Sequence, residues 1–311
     1  TATASVRGPI TSARGYVGSM SAKANTNSVT SFIPRIRWVD SVAETSGSPA
    51  VPVYPYGYFG GGYTPSGPGY HSIVDRIDFA NDTPIATQRT NTTIESQGVF
   101  GVSNGSFGYF SGGWPGPYST IDRIDYSNDT ANSLRRSYTT TKRGGGAAAG
   151  TNEHGYWIGN GANQCSGSYA GTIVERTDYA SDTTNASVRG NLSTSTDGGR
   201  AAGNKNYAWI SGRQWHHTNV ERIDYANDTA TASIKGPLSA GRTYHQATGN
   251  QDYGYACGTH DFSLSYKSIV ERIDYSNDTA TGSPKGPLAY ATASGGGTSA
   301  TLNNNGGTVP G

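Results

Sequence analysis

One stretch, Ser268-Ile-Val-Glu-Arg-Ile-Asp-Tyr-Ser-Asn-Asp-Thr279, returns along the chain and limits what it can fold into. It comes back as Ile73-Val-Asp-Arg-Ile-Asp-Phe-Ala-Asn-Asp-Thr83, Ile121-Asp-Arg-Ile-Asp-Tyr-Ser-Asn-Asp-Thr130, Ile173-Val-Glu-Arg-Thr-Asp-Tyr-Ala-Ser-Asp-Thr183 and Val220-Glu-Arg-Ile-Asp-Tyr-Ala-Asn-Asp-Thr229. A worn copy, Ile33-Pro-Arg-Ile-Arg-Trp-Val-Asp40, precedes them. The arginines at 35, 76, 123, 176, 222 and 272 are 41 to 53 residues apart. A period of that length marks a repeat architecture, in which each unit hides its apolar faces only against neighbouring units. One domain over residues 1–302 follows, with 303–311 as a loose tail.

Composition agrees. Of 311 residues, 44 are glycine and 21 tyrosine, and only 14% are charged, which suits a turn-rich all-β chain. A net charge of +1 without a Lys/Arg cluster argues against nucleic acid or an acidic membrane surface as partner. No apolar run approaches the roughly 20 residues of a membrane span. The chain starts at Thr1, so the expectation is a processed leader or a longer precursor, and an extracellular place, secreted or on a cell or virion surface. Cys165 and Cys257 lie about two units apart and make no disulfide framework, so both are expected to be unpaired within the chain.

The clearest unit, 239–288, parses into four strands. Strand a covers 242–250, b covers 253–258, c covers 269–275 and d covers 279–288. The Ser-Asn-Asp-Thr tetrad between c and d supplies residues that tolerate left-handed geometry and bond their own backbone, as a tight turn needs. Lys285-Gly-Pro287 then ends d.

This order resembles the kelch repeat of β-propellers. The matching b segments are Tyr56-Gly-Tyr-Phe-Gly-Gly-Gly62, Phe107-Gly-Tyr-Phe-Ser-Gly-Gly113, Gly155-Tyr-Trp-Ile-Gly159 and Tyr207-Ala-Trp-Ile-Ser-Gly212. The tryptophan that kelch repeats carry at the start of d is missing here. The Asn-Asp-Thr-Ala-Thr-Ala-Ser variant is also similar to repeats of uncharacterised marine microbial and phage proteins, which implies no activity. The kelch resemblance implies an all-β propeller of about six four-stranded blades. It also implies that b–c and d–a connections emerge on one face and c–d turns on the other. The small residues of 143–150, 199–203 and 294–298 would then line the crowded axis.

The ends fall inside a repeat. Residues 1–10 read as an extra d strand without its own c strand. Residues 12–20 read as an a strand that no clear b strand follows. Residues 291–302 read as a last a strand. Unpaired edges seek partners. The ring either closes within the chain or donates a terminal strand to the next molecule; the latter contact is head-to-tail and builds a filament.

The Glu/Asp-Arg-x-Asp set of strand c places carboxylates beside arginine, but its return in every unit points to charge pairing between blades. No nucleophile elbow, P-loop or zinc signature occurs. Adjacent His216 and His217, and the separated His245 and His260, have no persuasive ligand spacing for copper. Neither catalytic residues, nor a metal site, nor a cofactor is expected. Sequons at Asn81, Asn128, Asn227 and Asn277 are candidate glycosylation sites on the c–d turns. The b–c loops do not repeat. Their Tyr70, His71, Trp114, Tyr118, Tyr169, Arg213, Trp215, His217, His260 and Tyr266 form the candidate ligand-binding set, since varied aromatic loops on a rigid ring are where binding resides. The expected function is a non-catalytic extracellular structural or adhesive subunit, its partner other copies of itself joined by terminal strands. The alternative is a glycan-binding, lectin-like propeller.

Overall fold

In a computed structural model of the chain, residues 18–21, 56–64, 69–79, 81, 83–116, 118–159, 171–213, 216–260 and 266–291 are described. They form a β-propeller with five four-stranded antiparallel blades among the described residues. The first blade holds β1 (Gly18–Ser21), β2 (Tyr56–Gly60), β5 (Ile73–Asp78) and β6 (Thr87–Asn91), with a small hairpin, β3 (Tyr63–Thr64) and β4 (Gly69–Tyr70), in its b–c loop. The second holds β7 (Phe100–Ser103), β8 (Phe107–Ser111), β9 (Tyr118–Asp125) and β10 (Leu134–Arg143). The third holds β11 (Ala147–Gly150), β12 (His154–Ile158), β13 (Gly171–Asp178) and β14 (Ser187–Thr196). The fourth holds β15 (Arg200–Gly203), β16 (Tyr207–Ser211), β17 (Val220–Asp224) and β18 (Ser233–Ile234). The fifth holds β19 (Gln246–Gly249), β20 (Tyr253–His260), β21 (Tyr266–Asp274) and β22 (Ser283–Pro284). The a strands β1, β7, β11, β15 and β19 pack on one another in chain order, which makes them the inner strands.

About six blades were expected, and five lie among the described residues. The worn copy at 33–40 lies outside the described residues, as do 1–10 and 292–311. The a strand near residue 20 does have a b partner: Gly18 faces Gly60 and Ser21 faces Gly57, so the intervening residues are an insertion between neighbouring strands. The c–d connection is the expected tight turn, formed as a single 3-10 turn in Tyr126–Asn128 and Tyr275–Asn277. The last Asp of strand c caps it: Asp125, Asp178, Asp224 and Asp274 each accept from the backbone N–H two residues on.

The repeated motif joins blade to blade. Asp129 of the second blade accepts from three side chains of the first: Tyr58 Oη at 2.8 Å, Arg76 Nη1 at 2.9 Å and Arg89 Nη2 at 2.7 Å. Asp182 receives Tyr109, Arg123 and Arg136 in the same way. Asp228 receives Tyr156 and Arg176, with Arg189 at 3.5 Å, and Asp278 receives Trp209 Nε1 and Arg222, with Lys235 at 3.4 Å. Strand register explains the convergence, because Tyr58 lies opposite Arg76, Tyr109 opposite Arg123, Tyr156 opposite Arg176 and Trp209 opposite Arg222. The turn tyrosine three residues before each carboxylate stacks on the donor blade's aromatic: Tyr126 on Tyr58, Tyr179 on Tyr109, Tyr225 on Tyr156 and Tyr275 on Trp209.

A second carboxylate fixes the incoming connection. Asp122 accepts from Thr93, Glu175 from Thr140, Thr141 and Arg143, Glu221 from Ser193 and Thr194, and Glu271 from Ser239 and Arg242. Outer strands approach closely at Gly190 and Gly236. A Cβ there would come within 2.1 Å of a carbonyl oxygen of the next blade, Ala230 or Ala280. Each glycine N–H donates into that blade, to the carbonyls of Asp228 and Asp278.

Burial alone would raise the Asp129 and Asp182 carboxyls. The arginine and tyrosine hydrogen bonds outweigh it and hold both below the usual range. A depressed folded value means the stabilisation is whole above about pH 4, where an unfolded Asp titrates, and is lost as pH falls through the lower folded value. Asp182→Ala leaves Tyr109, Arg123 and Arg136 without their shared acceptor, and should lower unfolding free energy by about 2–4 kcal/mol at pH 7. Urea denaturation at pH 7 and below pH 3 checks this; the gap to wild type should shrink in acid.

Candidate functional site

The two ends of the blades differ. At one end, a–b loops support the c–d turns: Ser106, Glu153, Asn206 and Asp252 carbonyls accept from the N–H groups of Tyr126, Tyr179, Tyr225 and Tyr275. Asn104, Asn204 and Asn250 shape three of those loops by accepting from N–H groups two and three residues on. At the other end, b–c and d–a connections bond to each other, as in the mutual Gln97–Trp114 pair and Arg213 N–H to Arg242 O. This is the loop face that the sequence singles out.

The expected binding residues do not converge on one point. Tyr70 packs beside Tyr63 in the first blade's hairpin, with ring centroids 5.1 Å apart. His71 is buried and its Nε2 lies 2.9 Å from Thr64 Oγ1, so it holds that loop together. Tyr118 is half-buried at the start of β9. Tyr266 is 60% exposed at the rim of the fifth blade, where the His260 backbone pairs with it. Arg213 donates to Ser195 O and lies 3.3 Å from His217 Nδ1. Burial, then the Arg213 charge, lowers the His217 pKa. Tyr169, Trp215 and the His260 side chain lie outside the described residues. Of the expected set, Trp114 alone sits at the described mouth of the axis.

There a cavity of about 200 Å³ is lined by Trp114, Gln97, Arg200, Tyr244 and the backbone of Gly98, Gly144 and Gly145. The Trp114 indole covers Gly144 so closely that a Cβ would fall 2.4 Å from its ring. Arg200 uses Nη1 on the carbonyls of Gly146 and Gly199. The Gln97 Oε1 atom is buried and has no hydrogen-bond partner among the described residues. Tyr244 has φ +48°, where the corresponding d–a positions Gly98 and Gly198 are glycines with φ +67° and +69°. A bulky residue held there is strained, which in general marks a functional position. Its N–H donates to Gly198 O, and Gly198 N–H donates to Gly145 O, so the connections form a hydrogen-bonded rim.

Gln97, Arg200 and Tyr244 were missed in the sequence because they lie on d–a connections and an a strand, not in b–c loops. One signal was present: Tyr244 occupies a position where neighbouring units carry glycine. The arrangement offers two aromatic surfaces, a guanidinium and a free acceptor, which suits a small polar ring. Among the described residues no three His, Cys, Asp or Glu gather to hold a metal. Cys257 is a buried free thiol whose pKa burial pushes up to about 11. The sequon residues Asn81, Asn128, Asn227 and Asn277 are all exposed, on the opposite end of the blades.

No protein-family profile matches the sequence, and no curated protein matches it. Among solved structures, that of YjhT is similar, with a TM-score of 0.61 at 12% identity over 78% of this chain and 84% of that one. At that identity the likeness concerns the fold alone.

His245, beside this rim, is fully buried against Ser211 Oγ at 3.0 Å. Burial, then Arg242 and Arg200, hold its pKa well below the ordinary value, so it is neutral when folded. Unfolding lets it protonate, and stability should therefore fall as pH drops through about 6.5. In thermal melts from pH 7.5 to 5.5, His245→Gln should flatten that decline, while His154 and His217 keep part of it.

Proposed function

We propose that this chain is a non-catalytic, extracellular structural or adhesive subunit that assembles with copies of itself. One observation carries the reading: each blade contact is directional, with aromatic, arginine and lysine or arginine donors on one side and a carboxylate turn on the other. Modules joined that way add head-to-tail, and a heterologous contact of this kind builds chains wherever it does not close. The repeated carboxylates that resemble catalytic acids are committed to these contacts. Four exposed sequons on one end support an extracellular, glycosylated surface. No described helix is long and apolar enough to cross a membrane.

Donation of a strand to a neighbouring copy is one route of such assembly. Static light scattering and negative-stain microscopy at rising concentration should show species larger than the monomer. Discrete monomers at every concentration would remove the self-assembly reading.

The axial cavity favours glycan binding as a second reading, with Trp114 and Tyr244 as stacking surfaces and Arg200 and Gln97 as polar anchors. On a glycan array, Trp114→Ala should weaken any hit at least tenfold while leaving the fold intact. An empty array, or binding indifferent to the substitution, would exclude it.

A further inference from the structure

We propose that the boundary between the third and fourth blades is an acid-sensitive joint, with His154 as its switch. A proton on the imidazole sets it against the Arg176 guanidinium and loosens the third blade's grip on Asp228. The joint lies within one chain, so it works whether or not copies assemble or a glycan binds.

The first residue of each b strand shows what differs here. Register sets Tyr56 opposite Asp78, Phe107 opposite Asp125, Tyr207 opposite Asp224 and Tyr253 opposite Asp274, each two residues before the one that faces the c-strand arginine. In those blades the guanidinium lies over the ring: Arg76 over Tyr56 at 4.0 Å, Arg123 over Phe107 at 4.2 Å, Arg222 over Tyr207 at 4.3 Å and Arg272 over Tyr253 at 4.1 Å. An aromatic face attracts a cation and holds it in place at any pH. In the third blade the same position, opposite Asp178, is His154. A neutral imidazole tolerates a guanidinium beside it, whereas an imidazolium repels one.

The clasp that Arg176 serves also has less support than the two before it. Asp129 and Asp182 each accept two bonds from a d-strand arginine, from Nε and Nη2 of Arg89 and of Arg136. The matching Arg189 keeps its Nε 3.5 Å from Asp228, and that Nε is buried with no hydrogen-bond partner among the described residues. Asp228 is held by Tyr156 at 2.9 Å and Arg176 at 2.8 Å. With the d-strand donor slack, this boundary depends on Arg176 more than the preceding ones depend on their c-strand arginines.

The charges around His154 decide the sign. Glu153 stands on its own loop, Arg176 and Asp178 on β13, and Asp228 in the fourth blade, with Lys205 and Asp224 lining the groove beside the imidazole. Asp178 and Asp224 are engaged in capping their 3-10 turns, and Asp228 in the clasp. Burial, then Arg176, outweigh these acids and hold the His154 pKa below its ordinary value. The folded boundary therefore prefers the neutral ring. Its support is whole above about pH 6.5, where an unfolded histidine titrates, and is lost as pH falls from there towards the lower folded value. Acid opens the joint.

Amide hydrogen exchange read by mass spectrometry, corrected for the intrinsic effect of pH on exchange, tests this on the full chain at pH 7.5 and 5.5. It follows both sides of the joint, 153–158 and 225–232, and both sides of the preceding boundary, 107–111 and 179–186. In wild type, opening at the joint should rise roughly three- to tenfold in acid, while the preceding boundary changes less. His154→Tyr, which restores the ring of the other blades, should remove that excess. His154→Phe, the residue of the second blade, takes its place if circular dichroism melts show that the tyrosine variant does not fold. An acid rise at the joint that persists in the folded variant overturns the proposal. So does a rise shared equally by both boundaries, which belongs to a group such as His245, and so does a joint equally protected at both pH values.

Discussion

The whole structure depends on one buried carboxylate shared between two blades. Asp129, Asp182, Asp228 and Asp278 each lie almost out of solvent, at 4 to 8% side-chain exposure, and a lone charge there would be costly. Each is stabilised only because an aromatic hydroxyl or indole N–H, a c-strand arginine and a d-strand cation arrive from the neighbouring blade. A blade on its own would leave both sides of that contact unmet. Burial of a polar network therefore makes the modules interdependent, in addition to the apolar area they cover.

The same logic explains why the repeat looks chemically loaded and yet reads as scaffold. In Val-Glu-Arg-Ile-Asp-Tyr-x-Asn-Asp, the glutamate fixes the connection that arrives from the blade before. The arginine reaches forward to the blade after. The first aspartate of the turn caps its 3-10 geometry, the tyrosine stacks, and the last aspartate receives the preceding blade. Each charged residue of the motif, and its tyrosine, has a mechanical task. Positions that escape the repeat gather at the cavity lined by Trp114, Arg200 and Tyr244, where Tyr244 stands at a position that Gly98 and Gly198 fill in other units.

Much of this was legible in the chain. The arginine spacing established a repeat, and the period-two pattern with aromatic b segments established four-stranded blades. Pairing of repeated charges between blades followed from their recurrence. What stayed hidden was the direction of each pairing. Register across b and c decides that Tyr156 and Arg176 reach the same carboxylate, and register is a property of the folded sheet. The candidate site was half legible for a similar reason. Trp114 could be chosen because b–c loops vary. Arg200 and Gln97 join it only because the propeller folds d–a connections of different blades around one axis. The b partner of the strand at Gly18–Ser21 was out of reach, since a long insertion separates it from Tyr56–Gly60 in sequence.

The most direct test of the account is a double-mutant cycle across one blade boundary. Tyr156→Phe, Asp228→Ala and the pair are unfolded in urea at pH 7 and their free energies compared. A shared buried acceptor predicts a coupling energy of about 1 kcal/mol or more between residues on separate blades. Losses that simply add, with coupling near zero, would mean that the carboxylate is a passenger at the boundary and that the blades are held together by something else.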